Sequence, residues 1–379
     1  MDIKMKIYND ELIELRRELH KIPEIAYNEY KTCEFITKKL KEYNIDYEIV
    51  FKTGVVCIIG DVNKECIAFR MDMDGLFIKE NNDVCYKSEI PGMMHACGHD
   101  GHVAILLMTA KILKQNEKEL KKCVKLIFQP AEEGSGGAEH MIKEGVLSNP
   151  IVSAVYGCHL WPEVIVGKAE YVEKTAFAGS YRYLIRVIGK GGHGAMPEKV
   201  INSLLPASEI ILELSKLHER EKESVVSACC VNTTGTFNTF TSDTEILGTI
   251  RTLSNEARDR ILAGITKIID SVKEKYNIEI EFIPTPEYPP CVNDDQTLEN
   301  LVDKAKKAIG EENVTLGKVT YGAEDFAYYG LNCKTAHIRV GTKNPDDEAT
   351  HYPLHNPNFN IDENSLAIAV KIFLELAFS

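Results

Sequence analysis

The sequence predicts an α/β protein in two parts: a mixed sheet flanked by helices, spanning 1–177 and 291–379, and a ferredoxin-like α+β domain inserted at 178–290. Three observations carry this prediction. The chain has 379 residues, more than one hydrophobic core usually serves. Outside the insertion, stretches with apolar residues at helical spacing alternate with short apolar runs of strand length. Within it the order becomes β-α-β-β-α-β, the split βαβ arrangement.

The elements follow in order. Leu12, Ile13, Leu15 and Leu19 mark a helix over 10–21 that stops before Pro23, and a second helix is expected over 31–43. Strands are predicted at 47–50, 55–59 and 67–71, then a helix at 103–113 and strands at 124–128 and 151–156. The inserted part reads as strand 181–188, helix 202–218, strands 224–231 and 244–253, helix 257–276 and strand 278–283. Pro284, Pro286, Pro289 and Pro290 read as a rigid connector that closes it. A helix at 298–309, a strand at 335–340 and a final amphipathic helix at 363–376 complete the chain.

Composition narrows the function. With 44% hydrophobic and 27% charged residues the chain has the make-up of an ordinary globular protein. A net charge of −13 argues against nucleic acid or an anionic membrane as partner, since both reward basic patches. No stretch approaches the roughly 20 apolar residues of a membrane span, and residues 1–9 lack the apolar core of a signal peptide. The eleven scattered cysteines therefore read as reduced thiols in a cytoplasm, with Cys229 and Cys230 as packing residues on a strand.

The chemistry gathers at strand ends. Met94-His95-Ala96-Cys97-Gly98-His99-Asp100-Gly101-His102 packs three imidazoles and a thiol, favoured ligands of zinc and its neighbours, into a glycine-punctuated turn. Asp72 and Asp74 follow one predicted strand, Glu132 and Glu133 another, and Cys158-His159 a third. Ligands of open α/β sheets bind beyond the carboxyl ends of strands, so this recurrence outweighs the turn-capping role each Asp has alone. Gly and Pro around Glu132-Glu133 argue against a solvated helical face.

The segments MDMDGL, MHACGHDGH, FQPAEEGSGGAEHMI, GCHLWP, GKGGHGAMP, LGTIRT, GAEDF and LHNPNF span almost the whole chain. In these the sequence resembles the two-metal aminoacylase and carboxypeptidase-like amidohydrolases, in the branch of hippurate hydrolase, indoleacetyl-amino-acid hydrolase and N-acetyldiaminopimelate deacetylase. The resemblance implies a metallopeptidase-like catalytic domain with a lid and dimerisation domain inserted in it. It implies two divalent ions, of zinc, manganese, cobalt or nickel, held by Cys97, His99, Glu133, His159 and His355. Glu132 is the implied general base and acid, with Asp72 and Asp74 orienting ligands or base; the broader family usually has His where this chain has Asp72. His95 and His102 read as supports for ligands, whereas His140 and His351 match no ligand. In the inserted domain His193 matches a residue that reaches into the partner subunit's site to stabilise an oxyanion, and Asn238 and Arg251 match substrate-contacting positions. Arg suits a carboxylate because its donors bind both oxygens.

The implied function is hydrolysis of the amide bond of N-acyl amino acids by a homodimer, with a small-molecule substrate and neither nucleic acid nor membrane as partner. Acetyl, benzoyl, indoleacetyl and acetyl-diaminopimelate substrates all stay open. The alternatives are a dipeptidase or carboxypeptidase using the same metals, or a noncatalytic binding protein derived from the family; the intact Glu132 speaks against the last.

Overall fold

The computed structural model describes residues 2–379, with the side chains of all but 2–7 and 135. In chain order it has helices α1 (Asp2–His20) and α2 (Tyr30–Glu42), strands β1 (Tyr47–Val50), β2 (Gly54–Ile59) and β3 (Cys66–Asp72), and helix α3 (His99–Gln115). Next come β4 (Cys123–Gln129), the short α4 (Glu132–Ser135), α5 (Gly137–Lys143), β5 (Val152–Ile165), β6 (Ala169–Tyr171) and β7 (Thr175–Phe177). Then follow β8 (Gly179–Ile188), β9 (Gly192–His193), α6 (Leu204–Arg220), β10 (Ser224–Thr233), β11 (Thr239–Phe240), β12 (Asp243–Thr252), α7 (Asn255–Tyr276) and β13 (Glu279–Tyr288). The chain ends with β14 (Cys291–Val292), α8 (Asp295–Ile309), β15 (Val314–Leu316), α9 (Ala327–Gly330), β16 (Lys334–Lys343) and α10 (Asn364–Phe378).

Two compact units emerge. The larger comprises Met1–Ala176, Val292–Lys318 and Asp325–Ser379; the smaller comprises Phe177–Cys291 and Val319–Glu324. The larger holds an eight-stranded mixed sheet in the order β1-β2-β4-β3-β5-β16-β6-β15. Its middle, β4-β3-β5-β16, is parallel. Parallel strands are covered on both faces, and every residue of β3 and β4 is accordingly buried. Helix α3 is buried over nearly its whole length and joins Leu12, Leu15 and Leu19 of α1 and Leu366, Val370 and Phe373 of α10 in one core. Phe373 stacks on Phe69 of β3 at 4.5 Å between ring centroids. Each such fully buried side chain contributes about 1.5–3 kcal/mol relative to exposure.

The smaller unit has an antiparallel sheet, β10-β12-β8-β13, whose first strand, β8, lies between the third and the fourth. This is the split βαβ order. Ile261, Ile265 and Ile269, one stripe of α7, and Ile210 and Leu214 of α6 close its core against Ile185, Val187, Ile246 and Ile250 of the sheet.

Three local expectations need correction. Pro284 and Pro286 lie inside β13, paired with Tyr183 and Tyr181, and do not form a connector. An edge strand tolerates them because a missing N–H costs nothing on its outer side. Cys229 and Cys230 are exposed, at the bulge of the edge strand β10. Strand β5 runs on to Ile165, so His159 stands within a strand rather than just after one. Strands β6 and β15, three residues each, are too short to show a periodicity. No helix among the described residues is long and apolar enough to cross a membrane.

Candidate metal centre

Around the carboxyl ends of β3 and β4, and beside the middle of β5, the larger unit gathers the predicted donors. Cys97, His99 and His159 offer ligand atoms within 4.8 Å of one another, and so do Cys97, Glu133 and His355. Cys97 is common to both sets. Glu132, the base that the sequence implies, joins His99 and Glu133 in a third set of the same span.

The turn is shaped by Gly98, which stands immediately before α3 in the left-handed region at φ 87°. That conformation is costly for a residue with a Cβ, and it brings Cys97 and His99 to one centre. Farther along, His355 is itself left-handed at φ 64°, its N–H donating to the Ala96 carbonyl at 2.8 Å, and its Nε2 lies 3.1 Å from Glu133 Oε1. A strained backbone at a non-glycine residue persists only where the surroundings enforce it.

Hydrogen bonds fix which ring nitrogens can bind a cation. His159 Nδ1 donates to the Leu160 carbonyl at 2.7 Å, which leaves the Nε2 lone pair facing Cys97 Sγ at 3.5 Å. Likewise His99 Nδ1 donates to the Asp74 carbonyl at 2.9 Å, and its buried Nε2 has no hydrogen-bond partner among the described residues. An orphaned nitrogen aimed into a set of soft and hard donors fits a divalent transition metal. His102 is fully engaged and offers no lone pair: its Nδ1 lies 2.5 Å from Asp72 Oδ1, and its Nε2 accepts from the Leu160 N–H at 3.0 Å. It thus supports Asp72 and the backbone that follows His159. His95 is buried with neither ring nitrogen hydrogen-bonded among the described residues, so it orients no ligand through such a bond.

The charge around these nitrogens is negative. Burial opposes a proton on His99, but Asp72 and Asp74 outweigh it and push the imidazole up to about 10. The Cys97 thiol is pushed far up, by burial first and then by Glu133 and Glu132. Both effects describe a pocket that seeks positive charge, and a bound cation would supply it while freeing the thiolate. His159 is held well below the ordinary value, by burial and then by His102, so it is a neutral lone-pair donor.

Asp74 accepts from the backbone N–H of Glu132 at 3.1 Å and of Glu133 at 2.9 Å. It therefore sets the turn that presents both glutamates. Gly137 is required nearby: a Cβ there would meet the Pro130 carbonyl oxygen at 1.8 Å.

Sequence reasoning missed Arg70, Gln129 and Asp325. Arg70 is buried in β3 and donates to Gln129 Oε1 at 2.7 Å, Asp72 Oδ2 at 3.0 Å and Asp325 Oδ1 at 2.6 Å. Asp325 also accepts from Gln129 Nε2 at 2.8 Å and from the Ala138 N–H at 2.9 Å. The signal was present, since Arg70 is a charge inside the otherwise apolar run 67–71. Burial works against the Asp72 carboxylate, but His99, His102 and Arg70 hold it well below the usual range.

The other predicted residues belong to the smaller unit. His193 is exposed on β9, opposite Thr239 of β11, and its Nδ1 accepts from the Ala195 N–H at 3.1 Å. Asn238 is its neighbour, with the Gly194 N–H donating to the Asn238 carbonyl at 2.7 Å. Arg251 lies on β12, where its Nη1 donates to Thr249 Oγ1 and to the Ile250 carbonyl. His140 stacks on Phe51, and His351 Nε2 lies 2.7 Å from the Asn344 carbonyl.

Residues 68–379 match the model of peptidase family M20/M25/M40. An IAA-amino acid hydrolase, ILR1-like 4, of Arabidopsis thaliana is 33% identical over 99% of this chain and 86% of its own length. Hippurate hydrolase of Campylobacter jejuni is 33% identical over 97% of this chain and 96% of its own. Among solved structures, the YXEP protein of Bacillus subtilis, a dinuclear metal-binding peptidase of the M20 family, superposes with a TM-score of 0.86 at 32% identity, covering 98% of each chain.

Proposed function

Given that this chain belongs to peptidase family M20/M25/M40, we propose that it hydrolyses the amide bond of N-acyl amino acids with two divalent ions held by Cys97, His99, Glu133, His159 and His355. The observation that carries this reading is the pair of donor sets sharing Cys97, with Glu132 within 4.8 Å of His99 and Glu133. The activities of the hippurate and IAA-amino acid hydrolases support the substrate class.

When bound, the ions supply a water of lowered pKa and polarise the amide carbonyl. Glu132 accepts the proton of the attacking water and returns it to the leaving amine, a general base turned general acid. Asp74 keeps the Glu132-Glu133 turn in place, and Asp72 holds His102 while facing His99 Nε2 at 3.6 Å. In the smaller unit, proposed as lid and dimerisation domain, Asn238 and Arg251 bind substrate, Arg251 taking the carboxylate. His193 stabilises the oxyanion of the partner subunit's site in a homodimer. Eleven free cysteines support a cytoplasmic setting.

The YXEP protein, a peptidase, supports a second reading, cleavage of dipeptides or of C-terminal residues. A panel of N-acyl amino acids and the corresponding dipeptides with a free amino group, assayed with zinc, manganese, cobalt and nickel, decides between them. Preference for the acylated series is expected; preference for the free amino group would shift the reading to a peptidase. Chelation is expected to remove all activity and reloading to restore it, and full activity in metal-free protein would overturn both readings. If His193 acts across a dimer, mixing inactive Glu132→Gln and His193→Ala proteins should recover partial activity. Under proven subunit exchange, no recovery would rule that out.

A further inference from the structure

The residue before the base is held as firmly as the base itself. Ala131 is left-handed at φ 58°, a conformation that costs a residue with a Cβ about 1–2 kcal/mol. Its N–H donates to Glu29 Oε1 at 2.9 Å, and its carbonyl accepts from the Gly137 N–H at 3.1 Å. Together with the two bonds to Asp74, this gives three consecutive N–H groups, of Ala131, Glu132 and Glu133, that all end on buried carboxylates from distant segments.

Glu29 is fully buried and stands at the N-cap of α2, where a short Ser, Thr, Asp or Asn would ordinarily take the first free amides. Its own side chain makes no cap bond. The amides of Lys31 and Thr32 go to Glu24 Oε2 instead, at 2.9 and 3.0 Å. Relieved of capping, the Glu29 carboxylate turns inward: one oxygen takes Ala131, and the other accepts from Thr53 Oγ1 at 2.8 Å. A buried carboxylate is expensive to keep. A helix cap alone would not need it.

We propose that Glu29 is a positioning residue for the general base: by accepting from the Ala131 N–H it holds the left-handed turn that aims Glu132 at the attacking water. This rests on the reading of Glu132 as the base. Misplacement of a catalytic group by about 1 Å can cost on the order of 100-fold in rate. The contribution belongs in kcat, since Glu29 touches none of the five proposed metal ligands in the contacts described.

Two substitutions of nearly equal volume test the idea in the metal-loaded protein. Glu29→Gln keeps an oxygen for the Ala131 N–H and an amide that can donate to Thr53; Glu29→Met keeps the volume and removes the acceptor. With an N-acyl amino acid as substrate, Glu29→Met is expected to lose about 10- to 100-fold in kcat with KM and metal content unchanged, and Glu29→Gln to stay within about threefold of wild type. Amide hydrogen exchange at Ala131 should quicken in the Met protein and not in the Gln protein. Glu29→Ala replaces Met should Met not fold. Wild-type kcat in the acceptor-less protein, an unchanged Ala131 exchange rate, or a Gln protein as impaired as the Met one would overturn the proposal. The exchange measurement needs no turnover. If the wild type hydrolyses no substrate on the panel and Glu132→Gln changes nothing, the functional reading fails, while Ala131 exchange still decides whether Glu29 holds the turn.

Discussion

Glu132→Gln is expected to lower kcat by about 10³-fold or more, near the upper part of the range for removal of a general base and acid. KM and metal content should stay near wild type. Gln has the shape of Glu and cannot carry a proton from water to amine. The substitution leaves the backbone contacts alone, because the N–H groups of residues 131, 132 and 133 are bound by Glu29 and Asp74 and not by the Glu132 side chain. Turnover within tenfold of wild type, at full metal occupancy, would remove Glu132 from the mechanism. A parallel loss of metal would mean that Glu132 is itself a ligand.

The second large effect is on stability. Arg70→Met is expected to destabilise the larger unit by about 3–5 kcal/mol, the cost of breaking a buried ion pair by removing one partner. The substitution leaves the buried Asp72 and Asp325 without their shared counterion, and Gln129 loses the donor to its side-chain oxygen. Methionine fills much of the same space, so the loss reports charge and hydrogen bonding more than a cavity. Denaturant unfolding with and without metal checks it. A change under 1 kcal/mol would show that the network is not needed to keep Asp72 in place.

Much of the fold was legible because its signals are local. The apolar runs of β3 and β4 and the helical stripe of α7 need no knowledge of their neighbours. The Pro284–Pro290 stretch misled because proline forbids a ladder bond only on the paired side of a strand, and which side faces outward is a property of the whole sheet. His159 seemed to follow a strand because β5 outlasts its pairing with β3, which ends at Gly157, and continues beside β16 alone. In the site, the donors were legible as types near glycines. Their ring tautomers were not, since these depend on carbonyls and carboxylates that folding brings in: Asp74 for His99, Leu160 for His159, Asp72 for His102. Arg70 and Glu29 escaped notice for the same reason. Each acts through a backbone or side-chain contact at least 59 positions away.

The order of strands also bears on how the chain is made. Strand β5, which carries His159, is covered on one side by β3 and on the other by β16, and β16 and His355 arrive only after the whole smaller unit has been synthesised. At about 5–20 residues per second, the nearly 200 residues between His159 and His355 take roughly 10–40 seconds to emerge from a ribosome. Through most of that interval four of the five proposed donors and a long open strand edge are present without their closing partners. The nascent chain should therefore be a client of chaperones in that window, and metal loading should be a late event, gated by translation of the last tenth of the chain.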